Sequence, residues 1–522
     1  MPFTSTLRDV PATRRSRVWR RAILWTLAAL WMATAYWQTN KPLPPGAHVD
    51  SPWYPITPRD ATFIADITSA DAYGRVSSSQ AIFDEVLGVV RSAHKFIVLD
   101  YFLFNAQLGV TAGSPPAFRQ LSGELRDALI ERRRVEPDLQ VLFITDPINE
   151  VYGGVTSLDL RLLRAAGVEV VVTDLDALRD SNFLYSSLWR LGIKWWTGSL
   201  LSGSGDRSNS TRSPDGGWLP NPLDESAAPI SFGDWARLLN FKANHRKVVI
   251  ADDGRGGLVT IVGSANPHDA SSAHSNAALK VTGPGTLPLL RSELEVARFS
   301  GWTGHLAAAA DQADPPAPAG KMDGGRMKVL TEGGILAELL ERLDSAQRGD
   351  NIDIAMFYVA DRAVIESLLG ASRRGVAVRL IMDPNKDAFG RAKTGIPNQP
   401  IASELVAASD GAIHVRWYRT HGEQFHTKLV MIYGPERFWL TVGSANLTRR
   451  NLADYNLEAN LAIELPRNTR IAQQTVEYFE TLWSNRASLG IEYTADFGYY
   501  ADPSQLHYWL YRVMEGTGVS TF

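Results

Sequence analysis

Two stretches of the chain repeat one chemical pattern. Asn244-His245-Arg246-Lys247 runs into an apolar segment closed by Gly263-Ser264-Ala265-Asn266, and Phe425-His426-Thr427-Lys428 runs into another closed by Gly443-Ser444-Ala445-Asn446. A lone His-x-Lys means little. Here Ser264 follows His245 by 19 positions and Ser444 follows His426 by 18, with the same tetrapeptide each time. Imidazole, ammonium, hydroxyl and amide, each supplied twice, suit a phosphodiester. A neutral imidazole attacks phosphorus to give a phosphohistidine, and a second, protonated imidazole gives its proton to the departing alcohol. Lys247 and Lys428, with the amides of Asn266 and Asn446 and the hydroxyls of Ser264 and Ser444 in the same neighbourhood, would bind the phosphate as charge builds on its non-bridging oxygens. The histidines then exchange roles while water or another alcohol takes the phosphoryl group. No metal or other cofactor is expected: the chain has no Cys, no H-E-x-x-H and no carboxylate triplet at ligand spacing.

The elements that must position these residues read as two β-hairpins. The β-branched runs 247–251 and 258–262 flank turn chemistry at 252–257, and 428–433 and 438–442 flank Gly434-Pro435-Glu436. Residues i and i+2 of a strand face the same way, so each His projects with its Lys.

His245-x-Lys247-x4-Asp252 followed by Gly-Ser-Ala-Asn resembles the HKD signature of the phospholipase D superfamily, in its bacterial cardiolipin synthase-like, phosphatidyltransferase branch. The resemblance implies that Asp252 secures the fold around its lysine; the second copy has Tyr433 there. It also implies a carboxylate behind the histidine. Asn456-Leu457-Glu458 supplies one, expected behind His426, whereas the first copy offers Asn276-Ala277-Ala278 with no acid. The catalytic set carried over is thus His245, Lys247, Asp252, His426, Lys428 and Glu458; the family more often has the N-terminal histidine as first nucleophile, while a carboxylate behind His426 would make that ring the better base or acid.

The repeat extends beyond the motifs. The strand-like run 96–104, a helical pattern near 116–134 and the strand-like run 139–146 are echoed by 352–359, 362–374 and 376–383. Each GSAN is followed by a polar strand and a helix ending in aromatics, Phe299 with Trp302 and Phe479 with Trp483. The fold class expected is α/β: two phospholipase D-like α/β sandwich lobes related by a pseudo-twofold, at 61–310 and 326–490. A Pro- and Gly-rich linker joins them at 311–325, and an extension follows at 491–522. The first lobe is longer by an insertion at about 175–240 that carries Phe183, Tyr185, Trp189, Trp195, Trp196, Trp218 and Trp235. Within it, residues 182–201 have the composition of a segment lying in a membrane interface, or of an aromatic surface excursion packed on the lobe.

The N-terminus adds to the membrane reading. A basic tail, 1–21, with Arg8, Arg14, Arg15, Arg17, Arg20 and Arg21, precedes an apolar span, 22–37, and a linker, 38–60. The positive-inside rule keeps that tail cytoplasmic and places the lobes on the extracytoplasmic side of a bacterial inner membrane, as a single-pass protein. Ala33-Thr34-Ala35 also resembles a signal-cleavage site, the alternative being secretion after cleavage near Ala35. With 522 residues and a net charge of -3, the chain shows none of the basic surplus of non-specific nucleic-acid binders. A phospholipid at a membrane is the partner expected; the oligomeric state stays open. The competing readings are an exported nuclease of the same superfamily and a catalytically dead scaffold. Secondary candidates are His421, which would assist the site or sit solvated in its loop beside Gly422, His268 and His274, which would line the substrate channel, and Arg449 and Arg450, which would clamp a second phosphate or serve as surface cations.

Overall fold

The structure is a computed structural model, and it describes residues 12–108, 118–196, 217–222, 228–307, 324–388, 391–486, 490–520 and 522. The tail 1–11, the Gly-Ser-rich part of the insertion at 197–216 and the linker residues 311–323 lie outside them.

Seven strands build the first sheet: β1 (Ala61–Asp66), β2 (Phe96–Tyr101), β3 (Gln140–Thr145), β4 (Glu169–Val172), β5 (Lys247–Asp252), β6 (Leu258–Gly263) and β7 (Asn276–Thr282). Seven more build the core of the second: β8 (Arg326–Thr331), β9 (Asn351–Met356), β10 (Ala377–Met382), β11 (Ile413–Tyr418), β12 (Lys428–Tyr433), β13 (Arg437–Gly443) and β14 (Ala459–Pro466). The spatial orders are β1-β7-β6-β5-β2-β3-β4 and β8-β14-β13-β12-β9-β10-β11, so the second sheet repeats the first strand for strand. Tyr54–Pro55 and Thr494–Asp496 extend the second sheet at its two edges. In each sheet the His-x-Lys strand runs antiparallel to a central strand, β5 to β2 and β12 to β9, and those central strands begin a parallel run.

Helices α1 (Ala12–Asn40), α2 (Ala81–Ser92), α3 (Leu121–Val135), α4 (Leu158–Ala165), α5 (Phe183–Leu188) and α6 (Leu287–Phe299) belong to the first half. Helices α7 (Gly333–Ser345), α8 (Arg362–Arg373), α9 (Asn398–Ala408), α10 (Arg470–Trp483) and α11 (Gln505–Thr517) belong to the second. Both sheets are covered on both faces, which is why β5 and β6 are buried along their whole length and read as unbroken apolar runs. One apolar core joins the halves: Val248, Ile250 and Val262 of one sheet and Leu429, Met431 and Val442 of the other share it with α6 and α10. Separate cores lie under α2, α3 and α4 and under α7, α8 and α9.

The halves are also joined by hydrogen bonds through the backbone that leads into each motif. The His245 N–H donates to Leu457 O at 2.9 Å, and the Ser275 N–H donates to Gln424 O at 3.1 Å.

The expected span 22–37 falls inside α1, a helix of 29 residues. Among the described residues no helix is long and apolar enough to cross a membrane. The flanking arginines at one end and Gln38, Thr39 and Asn40 at the other dilute the apolar stretch, so a transmembrane crossing read from sequence is not supported. Nearly every side chain from 17 to 30 is exposed, whereas the last turns pack on α5, where the Trp31 Nε1–H donates to Leu184 O at 3.1 Å. In the insertion Trp189 is buried against the protein, whereas Leu188, Leu191 and Trp195 are exposed.

Candidate active site

Strand geometry sets out the first motif. Lys247 opens β5 and His245 stands two residues ahead of it, so the two project to one side. The Lys247 ammonium donates to His245 O at 2.6 Å and sits 5.3 Å from the Phe102 ring, while the Phe102 and His245 rings meet edge-on at 5.0 Å. The second motif repeats this: Lys428 donates to His426 O at 3.0 Å and lies 5.2 Å from the Phe357 ring, which packs 5.0 Å from His426.

The residues behind the histidines come from the opposite half. Glu458 does not stand behind His426, as the sequence spacing suggested; its carboxylate accepts from His245 Nδ1 at 2.9 and 3.0 Å. His426 Nδ1 instead meets Asn276 Oδ1 at 3.1 Å. The physical reason is the crossed connection noted above, in which the backbone beside Leu457 bonds to His245 and the backbone beside Ser275 bonds to the segment before His426. Each backing residue is held by the serine of its own half. The Ser444 hydroxyl donates to Glu458 Oε2 at 2.5 Å, and the Ser264 hydroxyl donates to Asn276 Oδ1 at 2.9 Å. Asn451 also donates to Glu458. Ser264 and Ser444, expected to bind phosphate, are both buried and occupied in this way.

Electrostatics differ between the two histidines. Burial, offset in part by Glu458, pushes His245 down to about 4. Burial opposes the charged form of Glu458, yet His245 and Lys247 beside it hold the carboxyl below its ordinary range. The pair is therefore a neutral imidazole donating Nδ1–H to a carboxylate, which leaves Nε2 as the basic nitrogen. His426 is held well below its ordinary value by burial and by Lys428, with no carboxylate to offset them. Burial lowers Lys247 to about 7, and burial together with Lys247 holds Lys428 well below its ordinary value. Such a cluster of cations is short of negative charge, and an anionic phosphate would supply it.

Asn266 and Asn446 are buried beside the motifs. The Leu103 N–H donates to Asn266 Oδ1 at 3.2 Å, which leaves the NH2 of that amide for another acceptor. Asn446 Oδ1 is buried with no hydrogen-bond partner. Among the described residues no three His, Cys, Asp or Glu side chains converge as ligands of a metal ion would.

Asp252 is not at this centre. It ends β5, about 16 Å from Lys247 at an ordinary strand rise, and accepts from the backbone N–H groups of His94, Lys95, Phe96 and Gly254. It caps the entry to β2, a structural duty. Tyr433, at the equivalent point, donates to Asp353 Oδ2 at 2.8 Å, and Arg379 clamps the same carboxylate.

The secondary candidates divide. His274 lies 5.9 Å from the His426 ring and accepts from the Gln424 N–H at Nδ1; His268 is buried against Ser271. His421 sits beside Glu423, away from the motifs' contacts. Arg449 and Arg450 are tied to backbone carbonyls of the C-terminal segment, Arg449 to Glu515 and Gly516 and Arg450 to Gly518 and Ser520.

Some positioning residues escaped the sequence reading. Asp146 accepts from the Asn244 N–H at 2.7 Å and Asp383 accepts from the Phe425 N–H at 2.8 Å, each fixing the residue just before a motif histidine. Burial raises both to about 7. The repeated Asp-Pro after each parallel strand, Asp146-Pro147 and Asp383-Pro384, was the available signal. Arg246, between the first His and Lys, is wholly buried and bonds Ser292, Glu293, Ala47 O and Glu332; Thr427 takes its place in the second motif.

Residues 339–483 match the family model described as cardiolipin synthase, PLD-like domain. That match lies within the second half of the chain and supports the phospholipase D resemblance, in its cardiolipin synthase-like branch, that the motifs carry. Over nearly the whole chain the fold is similar to that of phosphatidylserine synthase from Haemophilus influenzae Rd KW20: TM-score 0.53, 11% identity, covering 90% of this chain and 97% of that one. A phospholipase D family member, Nuc from Salmonella typhimurium, aligns with 33% of this chain and 97% of its own at a TM-score of 0.25 and 17% identity. No curated protein matches the chain by sequence.

Proposed function

We propose that the protein cleaves a phospholipid phosphodiester and passes the phosphatidyl group through His245 to an alcohol or to water. The observation that carries this reading is the unequal backing of the two histidines, a carboxylate behind His245 and an amide behind His426, within one cluster with Lys247 and Lys428. His245 Nε2 attacks phosphorus, and the bond from phosphorus to the head-group oxygen breaks. As the ring nitrogen becomes positive, Glu458 stabilises it through Nδ1–H. His426 gives its proton to the leaving oxygen; the bound phosphate anion raises its basicity enough for it to hold that proton. The acceptor alcohol or water then loses its proton to His426 and attacks phosphorus, which breaks the phosphorus–nitrogen bond and restores His245.

In this reading the two sheets are lobes related by a pseudo-twofold, and α1 with the exposed part of the insertion brings the protein to a membrane on its extracytoplasmic face. The cardiolipin synthase-type domain, and the name of the phosphatidylserine synthase whose fold is similar, support a phospholipid over a nucleic acid.

The test is incubation of the purified full chain with phosphatidylglycerol and, separately, with single-stranded DNA. Lipid turnover with a phosphate trapped on His245 is expected. Nucleotide release without lipid turnover would replace this reading with a nuclease. Identical product profiles for the wild type and the His245→Ala and His426→Ala variants would leave a scaffold.

A further inference from the structure

Helix α11 carries its apolar stripe on the wrong side for a packed helix. Leu506, Trp509, Leu510 and Val513 fall at i, i+3, i+4 and i+7, one face of an α-helix, and are 75, 60, 44 and 58% exposed. The opposite face is the one fixed to the protein. Tyr511 is buried and accepts from Arg362 at 2.9 Å, and Glu515 is buried and accepts from the Arg449 N–H at 2.6 Å. The helix is thus clamped with its apolar side turned to solvent. It ends at Gly518, in the left-handed conformation, which rests on Ser181 and Asn182, the residues that open α5. Helix α5 in turn holds the last turns of α1. Two exposed apolar elements, α11 and α1, therefore share one base; α11 is bonded through Arg449 to the segment that follows Asn446 in the site, and Arg450 of that segment bonds Gly518 and Ser520 just beyond the helix.

Charge selects the occupant. Helix α1 has no acidic residue, and Arg17, Arg20 and Arg21 on it are exposed. The one acid of α11, Glu515, is buried, while Arg512 is partly exposed. A face of Leu, Val and Trp with arginines and no exposed acid complements an anionic lipid surface, where indole rings settle at the head-group level. It is a poor match for a soluble acceptor without apolar area.

We infer that the outward stripe of α11 is a docking face for an anionic phospholipid bilayer, seated in the interface alongside α1. The inference rests on the phospholipid reading above and extends it by naming the element that holds the site against the membrane. Lying in the interface, α11 does not need the length or apolarity of a crossing helix.

The test uses the full chain with vesicles of phosphatidylcholine alone or with phosphatidylglycerol, read by flotation. The variant Leu506→Gln/Trp509→Gln/Leu510→Gln is expected to bind phosphatidylglycerol vesicles at least about tenfold more weakly. The apolar variant Leu506→Ile/Trp509→Phe/Leu510→Ile should bind like the wild type, and circular dichroism of both checks that α11 still folds. Turnover of a dispersed short-chain phosphatidyl substrate should be unchanged in the Gln variant, since none of the three residues belongs to the site. Equal flotation of the Gln variant and the wild type overturns the inference. So does loss of a concentration-dependent dimer in sedimentation with vesicle binding intact, which would make a second copy the occupant. Absence of turnover of the short-chain substrate by the wild type would instead count against the phospholipid reading, with the flotation result still deciding the docking face.

Discussion

Replacing Glu458 by Gln separates the two histidines more sharply than removing either of them. The amide keeps the shape and an acceptor oxygen for His245 Nδ1–H, so tautomer and ring orientation survive and only the charge is lost. Glu458 is fully buried and lies 2.9 to 3.0 Å from Nδ1. Unit charges about 4 Å apart at an effective dielectric near 20 attract by about 4 kcal/mol. His245 is neutral before reaction and only part of a positive charge has grown on it at the transition state. The charge is therefore worth roughly 2 to 4 kcal/mol there, a loss of about 30- to 1000-fold in kcat. KM should hardly move, because the interaction is absent from the ground state. Asn276→Ala, behind His426, removes a hydrogen bond from a ring that is charged only until it gives up its proton, about 1.5 kcal/mol, and should cost only about tenfold. Steady-state turnover of phosphatidylglycerol measures both. A change in KM alone for Glu458→Gln, or equal losses for the two variants, would refute the assignment of the developing charge to His245.

The alkaline limb of kcat/KM should fall near pH 7, because Lys247, lowered to about 7, loses its charge as pH rises through that value and binds phosphate less well; a pH–rate profile shows it, and Lys247→Arg should move the limb upward. Asp252→Ala orphans backbone N–H groups of Lys95 and Phe96 and should cost about 2 to 3 kcal/mol in urea unfolding, while kcat per folded molecule stays near wild type. Arg246→Ala leaves Glu293 and Glu332 buried without their counter-charge and should destabilise by about 3 to 5 kcal/mol in the same assay, whereas Thr427→Ala, at the matching position, should cost about 1 kcal/mol.

The motifs made the hairpins legible because His, Lys and the Gly-Ser-Ala-Asn closure are local in sequence and β-branched runs fill the strands between them. The repeated order of strand and helix was equally local, and the two sheets follow it strand for strand. What spacing could not convey was the partner of Glu458. A residue 32 positions after His426 invites pairing with it, but the contact is made across the boundary between the halves, through the backbone bond from His245 to Leu457. Asp252, carried over with the catalytic set, keeps the fold-securing duty the resemblance implied: it lies close to Lys247 in sequence, yet an extended strand carries it away from the centre. The length of α1 and the exposed stripe of α11 depend on which faces the rest of the protein covers, and α11 in particular shows ordinary amphipathic spacing whose direction only packing reveals.

The crossed backing of the histidines separates each working pair by a long stretch of chain, 213 residues between His245 and Glu458 and 150 between His426 and Asn276. A half expressed alone would hold one histidine and the partner of the other, so neither half could be rescued by restoring its own motif. Among relatives, the residue at 458 should covary with features around His245 and the residue at 276 with those around His426, a pattern of inheritance that runs between the repeats and not within them. A change at either backing position thus alters the histidine of the other half, and the repeated sequence holds one carboxylate where symmetry would give it two or none.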